Sequence, residues 1–454
     1  RGHHNYVFLP NSSIKFAVAT SQGIAFGTFS GQGVSFQQIV RGLSNTQVYT
    51  LGISGNRKTY LAGVQSSGVQ YVTGTGNTPQ TGTNIYGQSG GSCQMSIINP
   101  KAVMLSDLDG NMNRTSDEGI SFSLNFNPPT TNLVVTPFVK WENFNDENSK
   151  ALTKFIADKT YYQGDVLLCH STNKGIEGGK GYPFTALLEQ DSLVAGDSIY
   201  VKDIVQSKFF IATHNAVYMT RDIVKFDSTV TYAPGYAGRK NIWKVLQTVG
   251  NFSKPSCLGI SDCGNYLFVG TENGRIYRVA NIQDTYDKAS GDVDSPFCVL
   301  SISEIIPDGI DGRYITSISV DPQNPEHILV TLGNYGNESY VYQSMNSLDA
   351  VASISFSDIT GNLPRTPIYS SIIEMHSSGT GIIGTELGIY TTQGLMNENP
   401  EWAIDAAGIG KAMVVRMQQQ RVYKAGFVLD GPDPTTPPVV YPGVDNYGDI
   451  YCAT

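Results

Sequence analysis

Charge is scarce in this sequence and nowhere concentrated. Only 15% of its 454 residues are charged, the net charge is -9, and the longest basic clusters are the pairs Arg57-Lys58 and Arg239-Lys240. A nucleic-acid-binding face displaces counterions with a dense cationic surface, and its absence excludes nucleic acid as the partner. No run approaches the roughly 18 to 20 apolar residues of a membrane-spanning helix. The opening Arg1-Gly2-His3-His4 lacks the apolar core of a signal peptide, so either the chain is cytosolic or a leader was removed before Arg1. The six cysteines (Cys93, Cys169, Cys257, Cys263, Cys298, Cys452) include no CxxC pair and no Cys/His metal spacing, which argues against zinc. Their even number permits disulfides, with Cys257 and Cys263 nearest in sequence, while buried thiols packed as small hydrophobes read the same way.

What is present is turn chemistry and a repeat. With 48 Gly, 21 Pro and 10% aromatic residues, the composition is that of an all-β chain. Around Leu267-Phe268-Val269-Gly270-Thr271, a polar turn and the strand Ile276-Tyr277-Arg278 form one hairpin, and variants of its first strand recur. Eight copies end at residues 20, 64, 106, 213, 271, 332, 385 and 454. The intervals lie between 42 and 69, except for 107 residues between 106 and 213, which marks an insertion. The expected architecture is a β-propeller of eight units spanning 1–454 as one domain, or of seven if one copy belongs elsewhere. A small β module is expected at 147–205, between blades three and four, from short strand-like runs such as Tyr161 to Leu168 and Ser198 to Val201 with Gly-rich turns. Thr73 to Ser92, without apolar periodicity, is expected as an exposed loop, and the Pro-rich Asp430 to Pro438 as another. Trp243 and Trp402 are expected where an outer strand ends.

The sharpest motif is Thr115-Ser116-Asp117-Glu118-Gly119-Ile120-Ser121-Phe122, S/T-x-D-x-G-x-S/T followed by an aromatic. Asp can accept backbone N–H bonds across the turn, Gly supplies a positive φ, and the aromatic packs back into the sheet. This motif, the repeated hairpins and Ser319-Val320-Asp321-Pro322 with Glu326-His327-Ile328-Leu329-Val330 resemble Asp-box (BNR) β-propellers. That group spans sialidases, xyloglucanases, sortilin-like ectodomains and photosystem-assembly factors. Phe138 to Phe144, Gln206 to Phe210, Asn215 to Thr220, Leu332 to Asn337 and Asn446 to Tyr451 resemble large surface proteins of Bacteroidota, commonly cargo of the type IX secretion system. Such chains usually continue past the last hairpin into a sorting domain, so a longer parent chain is expected beyond Thr454.

Glycoside hydrolysis needs two carboxylates facing each other across a sugar. Glu142, Asp146, Glu147, Asp262 and Asp321 are the candidates, none singled out by spacing, and the arginines are too scattered for a sialidase carboxylate clamp. Asp107, Asp109, Gly110, Asn111 and Asn113, with Glu118 beyond, superficially resemble a calcium loop, but the Gly sits at position four where an EF-hand needs it at six. A hairpin turn at Asp109-Gly110 is the simpler reading. His170, with Cys169, and His214 read as structural, since no order of Ser, His and Asp is diagnostic. Asn11, Asn113, Asn251 and Asn337 head N-glycosylation sequons, and Asp191-Ser192-Leu193, Asp197-Ser198-Ile199 and Asp227-Ser228-Thr229 resemble the O-glycosylation motif of Bacteroidota.

The expectation is therefore a non-catalytic, extracellular or cell-surface binding and assembly protein. Its partner would be a surface or outer-membrane protein complex, or a glycan, and no catalytic, cofactor-binding or metal residue is assigned. The alternative is a secreted glycoside hydrolase with a carboxylate pair on the propeller face.

Overall fold

The computed structural model describes residues 3–20, 23–39, 47–55, 59–65, 67–74, 81–87, 89–107, 112–122, 133, 135–173, 180–226, 242–248, 254–286, 288–405, 409–429, 436–445 and 448–454. Strands dominate, and the helical segments described are single turns at Ile282–Asp284, Lys288–Gly291 and Val351–Ser353. Antiparallel sheets follow one another along the chain, and six of the thirteen described have four strands in meander order. One example runs Pro255–Ile260, Leu267–Thr271, Ile276–Ala280, Ser301–Ile305. Each repeat copy is the second strand of its sheet: Leu267–Thr271 and Ile328–Leu332 are buried at every position because both of their faces pack against neighbouring blades.

The first strands of seven sheets, Val48–Ile53, Gly90–Met95, Phe138–Asn143, Pro255–Ile260, Ile315–Val320, Ile368–Glu374 and Arg416–Gln419, pack in that order around an axis, and the last meets the first. At the seam Val48 N donates to Thr454 O at 3.2 Å, Gln420 donates to Ser54 O, and the Tyr60 and Tyr451 rings lie 4.9 Å apart. The architecture is a β-propeller, and among the described residues the first strands that close its ring number seven, the alternative to the eight repeat copies. The copy at Phe16–Thr20 lies in a separate sheet, His3–Phe8, Lys15–Thr20, Gly23–Phe29, Val34–Ile39, which gathers Tyr6, Phe8, Phe29 and Phe36 around Phe16. The repeat pattern reports an apolar second strand of a hairpin, and such a strand occurs outside the ring too, where, among the described side chains, only Phe16 and Val18 of Lys15–Thr20 are buried.

Small residues let neighbouring blades approach. A Cβ at Gly63, on a second strand, would run into Gly91 O of the next inner strand, and one at Gly259 would stand 2.6 Å from Ile318 O. The core lies between blades, as in the cluster joining Phe268, Ile328, Val330, Ile368, Ile383 and Trp402 from three consecutive sheets.

The inserted segment leaves the ring between the first and second strands of one blade, Phe138–Asn143 and Gln206–Ala212, not between two blades. Repeat spacing counts only second strands, so it could not see that Phe138–Asn143 already belonged to the later blade. Three nested strand pairs make the module: Leu152–Ile156 with Ser198–Lys202, Tyr161–Tyr162 with Ser192–Leu193, and Val166–His170 with Pro183–Leu187. Phe144, Phe155, Leu167, Phe184 and Val205 form its core, into which Ile98 and Val422 of the ring insert.

Two expectations from polarity fail. Within the stretch assigned to a loop, Gly82–Tyr86 is an outer strand and Gly90–Met95 an inner one, buried throughout. An inner strand crowded by neighbours selects small side chains, as in Gly90-Gly91-Ser92-Cys93, rather than alternating large apolar ones. Trp243 and Trp402 begin, rather than end, outer strands or their approaches, and the Trp402 indole donates to Ile359 O at 3.0 Å. Residues 430–435 of the Pro-rich stretch, Asp109 to Asn111, Asp227 to Thr229 and Asn251 lie outside the described residues.

Candidate functional site

The inner strands enclose two cavities stacked along the axis, sharing the wall residues Val139, Lys140, Leu258 and Gln418. The cavity at the strand ends, about 300 Å³, is lined among others by Trp141, Glu142, Asp262, Ser319, Gln419 and Arg421. The other, about 360 Å³ and near the strand starts, carries Tyr49, Cys93, Cys257, Tyr314, Tyr369 and Arg416. Both fall within or near the size range of small-ligand sites.

At the strand-end mouth the charges are paired. The Glu142 side chain is fully buried and accepts hydrogen bonds from Ser96 Oγ at 2.7 Å, Ile97 N at 2.6 Å and Lys140 Nζ at 3.1 Å, which ties its blade to the preceding one. Asp262 forms an ion pair with Arg421, with one Nη–Oδ distance of 3.0 Å. The Trp141 indole donates to Asp262 O at 2.7 Å. Behind that ring Lys208 Nζ stands 4.0 Å from its centroid and donates to Gly264 O at 3.2 Å. Burial, followed by the Arg221 charge, pulls the Lys208 ammonium down to about 7 against the opposing pull of Asp146. The inserted module abuts this mouth: Ile97 lines the cavity and packs on the module core, and Lys424 lies 4.8 Å from the Tyr182 ring and 5.1 Å from that of Phe144.

Of the carboxylates considered for glycoside chemistry, only Glu142 and Asp262 share a cavity. Asp321 is buried elsewhere, its Oδ2 2.9 Å from His327 Nδ1. Asp146 accepts from Asn148 N at 3.1 Å at the entry to the module, and Glu147 is exposed beside it. His170 lies in the module, its imidazolium disfavoured by burial and then by Lys180, and half-buried His214 lies in a turn. All six cysteines are unpaired, Cys257 buried and Cys263 exposed. Burial pushes the thiols of Cys93, Cys169 and Cys257 up to about 12. Among the described residues no group of three or more His, Cys, Asp or Glu gathers as a metal site.

At Thr115–Phe122 the turn is held by its own side chains. Asp117 accepts from Ser121 N at 2.9 Å, Gly119 adopts φ +94°, and Phe122 packs on Tyr86 at 5.1 Å. Burial raises the Asp117 carboxyl, but the hydrogen bonds from Ser121 and Thr115 outweigh it and hold it below its ordinary value. The turn leaves Ile120 87% exposed at its tip.

Arg416 was not foreseen. It stands in the run Val414-Val415-Arg416-Met417, and the only signal was a charge interrupting apolar residues.

No protein-family model and no curated protein matches this sequence. Among solved structures, the chain is similar to a GH74 enzyme of Niastella koreensis, with TM-score 0.47 and 13% identity over 94% of this chain and 56% of that one. It is also similar to a GH74 xyloglucanase of Xanthomonas campestris, with TM-score 0.43 and 12% identity over 87% of this chain and 53% of that one. For the Cps50 (Swd1) β-propeller domain of Myceliophteria thermophila, TM-score is 0.40 and identity 10%, over 85% of this chain and 94% of that one. The chain thus spans little more than half the length of the two GH74 proteins. At these values the likeness carries nothing about ligand or chemistry, and the fold class rests on the strand pairing itself. No helix among the described residues is long and apolar enough to cross a membrane.

Proposed function

We propose that this chain is a non-catalytic binding protein of the extracellular space or cell surface, whose ring presents its channel and the adjoining inserted module to a protein or glycan partner. The observation that carries this reading is the commitment of the channel carboxylates: Glu142 is held by four donors, Ser207 Oγ being the fourth, and Asp262 by Arg421. General acid–base chemistry on a sugar needs two carboxyl groups free to reach it from opposite sides. The module adds contact surface. Leu152, Ile156 and Tyr200, 55%, 61% and 64% exposed, stand on the outward face of one strand pair, interleaved with Lys154. The sequence likeness to Bacteroidota surface proteins supports export as the route to that location.

The hydrolase reading keeps one point in its favour, that Glu142, Asp262 and Trp141 line a single cavity. The test is mild crosslinking and affinity capture on the surface of the native cells, alongside reducing-end assays on a polysaccharide panel. A stoichiometric surface partner lost in an Ile156→Ser/Tyr200→Ser variant supports the binding reading. Sugar release abolished by Asp262→Asn would overturn it.

A further inference from the structure

We propose that the strand-start cavity around Arg416 binds a carboxylate carried at the end of its ligand. This deepens the binding reading above and rests on it. Several other arginines direct donors to backbone carbonyls, although Arg114 and Arg221 each keep one buried nitrogen without a hydrogen-bond partner: Arg114 to those of Asp222, Ile223 and Lys225, Arg221 to those of Ile282 and Thr285, and Arg278 to those of Ser347 and Asp349. Arg416 does not. It is half-buried on the cavity wall, and among the described residues its guanidinium has no hydrogen-bond or ion-pair partner, while the burial it does have disfavours its charge. The groups that act on it electrostatically are Cys257 and Cys93, and burial keeps both as neutral thiols.

A partly desolvated cation without a protein partner gains from meeting an anion, and a guanidinium cannot instead lose its proton. Its planar fork of donors matches a carboxylate in bidentate geometry. The rest of the wall is consistent with an incoming acceptor. No Asp or Glu lines this cavity, and its other cation, Lys140, is paired with Glu142. The phenol groups of Tyr49 and Tyr314 make no hydrogen bond among the described residues, and burial holds both as protonated donors, Tyr314 up to about 12. The third phenol, Tyr369, is committed to Glu386 at 2.8 Å. Ser256 and Thr316 spend their hydroxyl protons on the carbonyls of Ile315 and Ile368. One guanidinium and two phenols without partners among the described residues therefore line about 360 Å³ of space, beside one buried acceptor, Gln94 Oε1, that also has none. A terminal carboxylate presents both of its oxygens to one planar fork, as bidentate pairing needs.

A carboxylate end has two sources, a peptide C-terminus or a uronic acid, and calorimetry on the intact chain separates them. The probes are acetyl-dialanine with a free or an amidated C-terminus, and glucuronate against glucose, with sulfate and inorganic phosphate as further anions. At least one acid is expected to bind, tenfold or more tighter than its neutral counterpart, and Arg416→Met is expected to remove that preference while Arg421→Met, at the other mouth, keeps it. The Tyr49→Phe/Tyr314→Phe variant is expected to weaken the same acid severalfold, and it decides the matter if Arg416→Met does not fold. Equal binding of acid and neutral forms, equal binding of sulfate or phosphate, or an acid preference surviving in these variants would each overturn the proposal. Surface capture repeated with Arg416→Met separates the two readings. A retained partner with lost acid binding leaves the binding protein standing with a distinct pocket, whereas acid binding without any captured partner removes the surface-assembly reading alone.

Discussion

Replacing Lys208 with Met reports directly on the environment behind Trp141. The ammonium is 1% exposed, rests on an indole face and has a single carbonyl acceptor, and burial pulls it from 10.5 to about 7. Because the folded value is depressed, the unfolded chain holds one more proton than the folded chain between about pH 7 and the unfolded value. Stability from this group therefore rises with pH across that window, by about 1.4 kcal/mol per pH unit. From about pH 8 to about pH 9.5 wild type should gain about 2 kcal/mol relative to Lys208→Met. Urea unfolding of both proteins at several pH values measures it. Thiols and phenols that titrate in the same range are common to both and cancel in the difference. At neutral pH the variant should be at least as stable as wild type, since an apolar replacement ends the cost of burying a charge. A difference that stays flat or falls with rising pH would refute the argument and place the ammonium in contact with water.

Glu142→Ala removes the clamp between two blades and leaves Lys140 unpaired, so a loss of about 3–5 kcal/mol in urea unfolding is expected. His327→Leu strands the buried Asp321 carboxylate and should cost a similar amount, about 3 kcal/mol or more, while Asp321→Asn/His327→Leu together should recover part of it. Gly63→Ala drives a methyl into Gly91 O across the blade interface, and a loss of at least about 1–3 kcal/mol should appear as a lower thermal midpoint. Native-state alkylation followed by mass spectrometry should label Cys263 first and leave Cys93, Cys169 and Cys257 unlabelled, because Cys263 is exposed to the reagent while burial shields those three and disfavours their thiolates.

The hairpins were legible because a second strand packed on both faces must be apolar throughout, and Ile328–Leu332 and Leu267–Thr271 obey that wherever they sit. What the repeat could not carry was membership of the ring, which depends on contacts between first strands that share no pattern: Gly90–Met95 is small and polar, Ile315–Val320 is not. The place of the insertion was hidden for the same reason. Among the site residues, Glu142 and Asp262 were named from their chemistry, but their partners Ser96, Ile97 and Arg421 lie 46, 45 and 159 positions away. No local spacing encodes such pairs. Arg416 carries no motif at all; what marks it is its place on a cavity wall with no partner among the described residues, which only three dimensions reveal.

The seam between the last and first blades also sets the order in which the molecule can be made. Tyr60 and Tyr451, whose hydroxyls meet at 3.2 Å, are separated by 391 positions, and Gln420 reaches Ser54 across 366. Bringing such distant segments together carries a loop-closure penalty that adjacent hairpins avoid. Intermediates in which the other blades have formed would therefore hold the edges of Val48–Ile53 and Arg416–Gln419 open. Those two edges are complementary, so at high concentration the last blade of one copy can pair with the first of another. Dilution during refolding should favour closed rings over linked ones.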